Sequence, residues 1–141
     1  MKLNGTAPLP DTAIQPGVEA VRRARQILDR VGDKWSLVVV HQLGTATKRF
    51  TELKREIPGI SQRMLTATLR MLERDGLVAR TVHPVVPPRV DYALTPLGLS
   101  LLGTVCSLVG WAYTNAEAIE KARAAYDAHY SDLENRGTMA S

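Results

Sequence analysis

Residues 51–76 read TELKREIPGISQRMLTATLRMLERDG, and their punctuation decides the architecture. Thr51 is the expected N-cap of a short third helix, Glu52 to Ile57, with Glu52 placed to meet the positive end of the helix dipole. Pro58-Gly59 breaks that helix. Ser61 then caps a fourth helix running to about Asp75, with Met64, Leu65, Leu69 and Leu72 along one face. Gly76 is the expected left-handed stop. A short helix, a tight turn bearing glycine and a longer helix make the helix-turn-helix layout.

Upstream, Val18 to Val31 reads as a first helix, because Val21, Ala24, Ile27, Leu28 and Val31 recur at helical spacing; Gly32 ends it. Asp33 caps a second helix through Leu43, whose run Trp35, Leu37, Val38, Val39, Val40 is apolar on most sides and reads as core. Its β-branched residues would equally suit a strand; the Asp cap and the closing Gly44 favour a helix. Downstream, Leu77 to His83 is β-rich, and Val90, Tyr92 and Leu94 alternate with Asp91 and Ala93 as in a half-buried strand. Between them Pro84, Pro87 and Pro88 cannot donate to a ladder, so this stretch is a hairpin tip. Thr95 with Pro96 starts a long final helix or helix pair through about Asp132. Helix-turn-helix plus hairpin is a winged helix, a mainly α fold with a small β-hairpin (α+β).

Length and composition agree with one globular domain. The chain has 141 residues, 45% of them hydrophobic and 23% charged. Residues 1–17 are expected to be a flexible arm, 18–132 the winged domain with its C-terminal helices from about 96, and 133–141 a flexible tail. The arm has no apolar h-region, so no signal peptide is expected. The single cysteine, Cys106, excludes an intramolecular disulfide and a thiolate zinc cage, and fits the cytoplasm. Tyr92 to Ala116 holds 25 residues without a formal charge, but Pro96, its glycines and its hydroxyl residues favour a buried helix over a membrane span. The net charge of +4 hides an asymmetry: residues 18–91 carry 14 Lys/Arg against 8 Asp/Glu, and residues 92–141 carry 3 against 5. A basic body suggests a polyanionic partner.

Six stretches in register resemble the HxlR-type winged-helix transcription regulators, relatives of the MarR-like group. They are Gly32-Asp33-Lys34-Trp35, Arg49 to Leu53, Gly59 to Leu65, Leu72 to Leu77, Pro88 to Thr95 with Gly98, and Trp111. They span roughly residues 18–113. The resemblance implies a homodimeric DNA-binding regulator paired through N- and C-terminal dimerisation helices. Several family members carry a sensing cysteine near the start of the first helix; here Ala20 to Ala24 has no thiol, so that mechanism does not carry over.

With one face of the fourth helix inward, its outward set is Gln62, Arg63, Thr66, Ala67 and Arg70. Gln can bond adenine twice, Arg can bond guanine O6 and N7, and Thr or Ala can touch a thymine methyl, so these are the expected base contacts. Ser61, at that helix's start, can cap it or hold a phosphate. Lys48, Arg49, Lys54 and Arg55 flank the third helix and are candidates for backbone contacts, although Glu52 and Glu56 lie close enough to pair with some of them. In the wing, Arg89 follows the rigid Pro87-Pro88 tip and is expected in a minor groove or on a phosphate, with Arg80 and His83 as weaker candidates.

In the last helix Ser100, Gly103, Ser107, Gly110 and Thr114 form a stripe of small side chains, while Leu97, Leu101, Leu108, Ala112 and Val105 fill another face. A helix uncharged on both faces wants two partners, its own domain and a second protomer, and Trp111 joins the stripe as a candidate dimer contact. Cys106 is expected to be buried and structural. His41, His83 and His129 have no metal-ligand spacing, and no cofactor is expected. A cavity between the first and final helices could hold a small aromatic or quinone-like effector, though no motif encodes one.

Two other functions compete with DNA binding. A winged helix used only for protein contacts gives no reason for Arg63, Arg70, Lys48 and Arg89 to converge. An enzyme lacks a phosphate-binding glycine loop, a nucleophile beside a histidine and a paired-carboxylate pocket. The residues favour a sequence-specific, effector-responsive regulator that binds double-stranded DNA as a homodimer on an inverted repeat, with no membrane partner.

Overall fold

The computed structural model describes residues 17–139. Eight elements follow one another: α1 (Val18–Val31), α2 (Lys34–Leu43), β1 (Lys48–Arg49), α3 (Phe50–Glu56), α4 (Gln62–Arg74), β2 (Val78–His83), β3 (Arg89–Leu94) and α5 (Pro96–Met139). Apart from Gly17, the expected arm lies outside the described residues, as do the last two residues of the expected tail.

The core sits where α2, α3 and α4 meet the sheet. Val39, Val40, Leu53, Leu65, Leu69, Leu72, Leu77, Val78 and Val105 are all buried there. Asp33 opens α2, its Oδ1 accepting from the Trp35 N–H at 2.7 Å. The apolar run of α2 is not core throughout. Its buried stripe is Ser36, Val39, Val40 and Leu43, while Val38 faces out. A helix turns about 100° per residue, so only one residue in three or four can face one neighbour. Ser36 is tolerated inside because its hydroxyl donates to the Arg30 carbonyl at 3.4 Å.

The same spacing corrects α4. Its buried stripe is Leu65, Thr68, Leu69 and Leu72, and Met64, expected inward, is 40% exposed. Gly76 ends α4 at φ +77°. There the Leu77 N–H donates to the Leu72 carbonyl (2.9 Å) and the Gly76 N–H to the Glu73 carbonyl (3.0 Å). This is the Schellman stop, with Leu72 and Leu77 both buried in the core.

The third helix starts earlier than Thr51. Its N-cap is Arg49, whose N–H donates to Glu52 Oε1 at 3.3 Å, and the helix closes at Glu56. The cause is tertiary. Lys48 and Arg49 form a short strand paired antiparallel with Tyr92 and Asp91, so the chain leaves the sheet directly into the helix. The sheet is therefore three-stranded, in order β1-β3-β2, with the expected hairpin as its β2–β3 half.

Thr95 ties the last helix to the end of α4. Its Oγ1 accepts from the Gly98 N–H at 3.1 Å and donates to the Gly76 carbonyl at 2.6 Å. That closeness explains a glycine at 98: a Cβ there would stand 2.1 Å from the Leu77 carbonyl oxygen. Gly98→Ala is expected to lower stability by about 1–3 kcal/mol, because backbone rather than a flexible side chain would have to move. An unchanged urea midpoint would refute that packing.

α5 is one uninterrupted helix, not a pair, and it continues through 133–139, where a flexible tail is expected from sequence. No proline follows Pro96, and Leu133, Glu134 and Arg136 suit a helix. At 44 residues it spans about 66 Å, far more than the domain can cover. It is therefore not the buried helix expected. Gly98 and Val105 are its buried residues, and Leu101, Leu102 and Val109 pack partly on the core. Leu97 and Leu108, expected in the core-facing stripe, are instead 57% and 50% exposed, and Ala112 is exposed too. Cys106 is likewise exposed, because it sits one step around the helix from Val105. α5 is long and apolar enough to cross a membrane by length and composition.

Candidate nucleic-acid interface

The helix-turn-helix presents the outer face of α4 to solvent. Ser61 caps it, its Oγ accepting from the Met64 N–H at 3.1 Å. Gln62, Arg63, Thr66, Ala67 and Arg70 line one shallow concavity on that face, the complete expected set. The side chains of Gln62, Arg63 and Arg70 have no hydrogen-bond or ion-pair partner among the described residues. Thr66 donates its hydroxyl hydrogen to the Gln62 carbonyl at 2.8 Å, which leaves its methyl and oxygen lone pairs for a partner. Leu65, Leu69 and Leu72 hold the opposite side of the helix in the core, so the outer face is presented by a rigid element.

The surrounding cations divide into three groups. Lys54 and Arg55 on α3 are exposed and unpaired among the described residues. Lys48 is not available in the same way: its side chain is 11% exposed and its ammonium pairs with Glu56. That pairing removes Lys48 from the exposed set expected to meet phosphates. Arg80 stands directly across from Tyr92 on the sheet face that packs inward. With Arg70 and Glu73 it lines a cleft of about 400 Å³ between α4 and the sheet.

The third group occupies the outer face of the sheet. Arg49, Asp91 and Thr81 align across the three strands, and His83 pairs with Arg89 one step nearer the hairpin end. Arg89 therefore begins β3 rather than projecting from the tip, which is built of Pro84 to Pro88. Asp91 is absent from the candidates that the sequence suggests, because its role depends on cross-strand register and not on a local motif. His41, His83 and His129 lie on separate elements, and among the described residues no cluster is placed to hold a metal.

The sequence matches the HxlR-like helix-turn-helix family over residues 30–120. It is similar to the HTH-type transcriptional regulator YtfH of Escherichia coli, 40% identical over 92 residues that cover 65% of this chain and 73% of that protein. In three dimensions it is similar to the transcriptional regulator ytfH from Salmonella typhimurium, with a TM-score of 0.67 at 37% identity over 71% of this chain and 89% of that one. It is also similar to the redox regulator HypR in its reduced form, with a TM-score of 0.66 at 39% identity over 70% and 98% of the two chains. The winged helix, the exposed polar face of α4 and this likeness lead to one identity: the chain belongs to the HxlR-like helix-turn-helix family of DNA-binding transcriptional regulators.

Proposed function

We propose that this protein acts in the cytoplasm as a homodimer that reads an inverted-repeat operator in double-stranded DNA and answers to a small-molecule effector. The observation that carries the reading is the outer face of α4. Three long polar side chains stand there without partners among the described residues, beside the small Ala67, on a helix fixed from behind by leucines. Unpaired Gln and Arg at the start of such a helix match the donors and acceptors of major-groove base edges. In this reading Gln62, Arg63, Thr66, Ala67 and Arg70 face bases, while Arg49, Lys54, Arg55, Arg80, His83 and Arg89 lie along the backbone or in the wing. Ser61 contributes as the cap that orders the helix start.

The homodimer is supported by two apolar surfaces that no other part of the described residues covers. On α1, Val21, Ile27 and Leu28 of the expected apolar face are exposed, and on α5 so are Trp111 and the stripe Ser100, Gly103, Ser107, Gly110, Thr114. We assign these surfaces to a second copy rather than to a bilayer. Leu101, Leu102 and Val105 anchor the first half of α5 in the domain core, and the second half carries charges from Glu117 to Arg136. The effector reading is supported by a cavity of about 500 Å³ between α1 and α5. Ile27, Val31, Leu77 and Leu101 are among its walls, and the Arg30–Asp75 ion pair (3.1 Å) lines it.

A mobility-shift experiment on DNA upstream of the protein's own and neighbouring genes tests the function. The expected result is a retarded complex that unlabelled operator removes and scrambled duplex does not. Equal competition by both duplexes would leave no sequence-specific regulator.

A further inference from the structure

The outer face of the wing sheet gathers cations around one acid. Asp91 lies on the central strand, directly opposite Arg49 on β1 and Thr81 on β2. Directly opposed residues in a ladder hold their Cβ atoms about 4.5–5.5 Å apart, so the Arg49 side chain starts beside this carboxylate. The Asp91 side chain is 18% exposed, and both its oxygens are engaged. Oδ2 lies 2.9 Å from His83 Nε2 and Oδ1 lies 3.5 Å from Arg89 Nε. A carboxylate can only accept, so His83 donates through Nε2 and fixes the carboxylate from the neighbouring strand.

If the wing needed only positive charge, an acid at its centre would weaken it. A guanidinium has two usable edges, however. Arg89 turns its Nε toward Asp91, and its terminal amino groups have no partner among the described residues. Held on one edge, the planar fork is free to grip an anion with the other, which a point-charge ammonium cannot do. We propose that Asp91 is the positioning residue of the wing: clasped by His83, it holds the Nε edge of Arg89 so that the terminal amino groups meet a DNA phosphate. The proposal rests on the DNA-binding reading above and adds a device to it.

The test is the salt dependence of operator binding by the full-length protein, measured for the wild type, Arg89→Ala, Arg89→Lys, and Arg89→Lys combined with Asp91→Asn. Removing one phosphate contact flattens the slope of log K against log salt by about 0.9. Arg89→Ala should flatten it by that amount for each wing engaged. Arg89→Lys should flatten it equally, since the ammonium is drawn onto Asp91. Adding Asp91→Asn should release that ammonium and restore the wild-type slope. A contribution of Asp91 to folding alone would move the melting temperature but would not restore the slope.

The proposal is overturned if Arg89→Lys keeps the wild-type slope while Asp91 is present, if adding Asp91→Asn to Arg89→Lys fails to restore the slope, or if Arg89→Ala leaves the slope unchanged in a wild type that binds. If the wild type binds no duplex at any salt concentration, the regulator reading falls, and the wing device falls with it.

Discussion

Arg63→Ala is expected to cost the protein its preference at one base pair in each half-site. A good bidentate contact to guanine discriminates by about 1–3 kcal/mol, and a two-fold dimer makes the contact twice. The combined loss of roughly 2–6 kcal/mol is at least about 30-fold in operator affinity, taking 1.4 kcal/mol per factor of ten. The fold itself should not change, because Arg63 is exposed and has no partner among the described residues. Lys54→Ala provides the contrast. A phosphate contact carries no sequence information, so removing it should weaken operator and scrambled DNA in similar proportion and flatten the salt slope by about 0.9 for each phosphate released. Titrations against both duplexes at two salt concentrations separate the two kinds of residue. Equal weakening of both duplexes by Arg63→Ala would remove it from the reading role.

The outward face of α4 is legible in the sequence because the chemistry that sets it is local. Ser61 caps the helix, the leucine spacing sets its phase and Gly76 stops it, so the five outward residues follow from helical geometry alone. The caps at Asp33 and Thr95 are legible for the same reason. Phase still has to be exact. Apolar character points Met64 inward, yet the 3–4 spacing through Leu65 gives that position to Thr68. β1 is not legible: two residues carry no periodicity, and only pairing with Tyr92 and Asp91 makes them a strand. The displaced start of α3, the Lys48–Glu56 pair and the clasp around Asp91 all follow from that sheet, so no local pattern reveals them. For α5 the apolar run is plain, but it cannot say which side meets the domain. Composition points Cys106, Leu97 and Leu108 inward, and the register set by Gly98 and Val105 turns them out.

Gly103→Leu and Gly110→Leu are expected to convert a dimer into a monomer while leaving each chain folded. A Cβ added at either position meets nothing within 4 Å among the described residues, so both positions open onto free space from which a leucine side chain can extend. A steric cost arises where a second copy approaches, at about 1–3 kcal/mol for each overpacked site, and a two-fold axis imposes it from both sides. The stripe is well suited to close approach. The hydroxyls of Ser100, Ser107 and Thr114 already donate to carbonyls of their own helix at 2.6, 3.1 and 3.0 Å, so covering them strands no donor. Sedimentation at micromolar concentration should give a dimer for the wild type and a monomer for either variant, with unchanged helical circular dichroism. A wild-type monomer, or a variant that remains fully dimeric, would remove the stripe from the interface. The consequence for DNA is specific. Two recognition helices can match half-sites about 34 Å apart only when a second protomer fixes their spacing. The monomeric variants should therefore retain weak, salt-sensitive binding to any duplex while losing the preference for an inverted repeat over a single half-site.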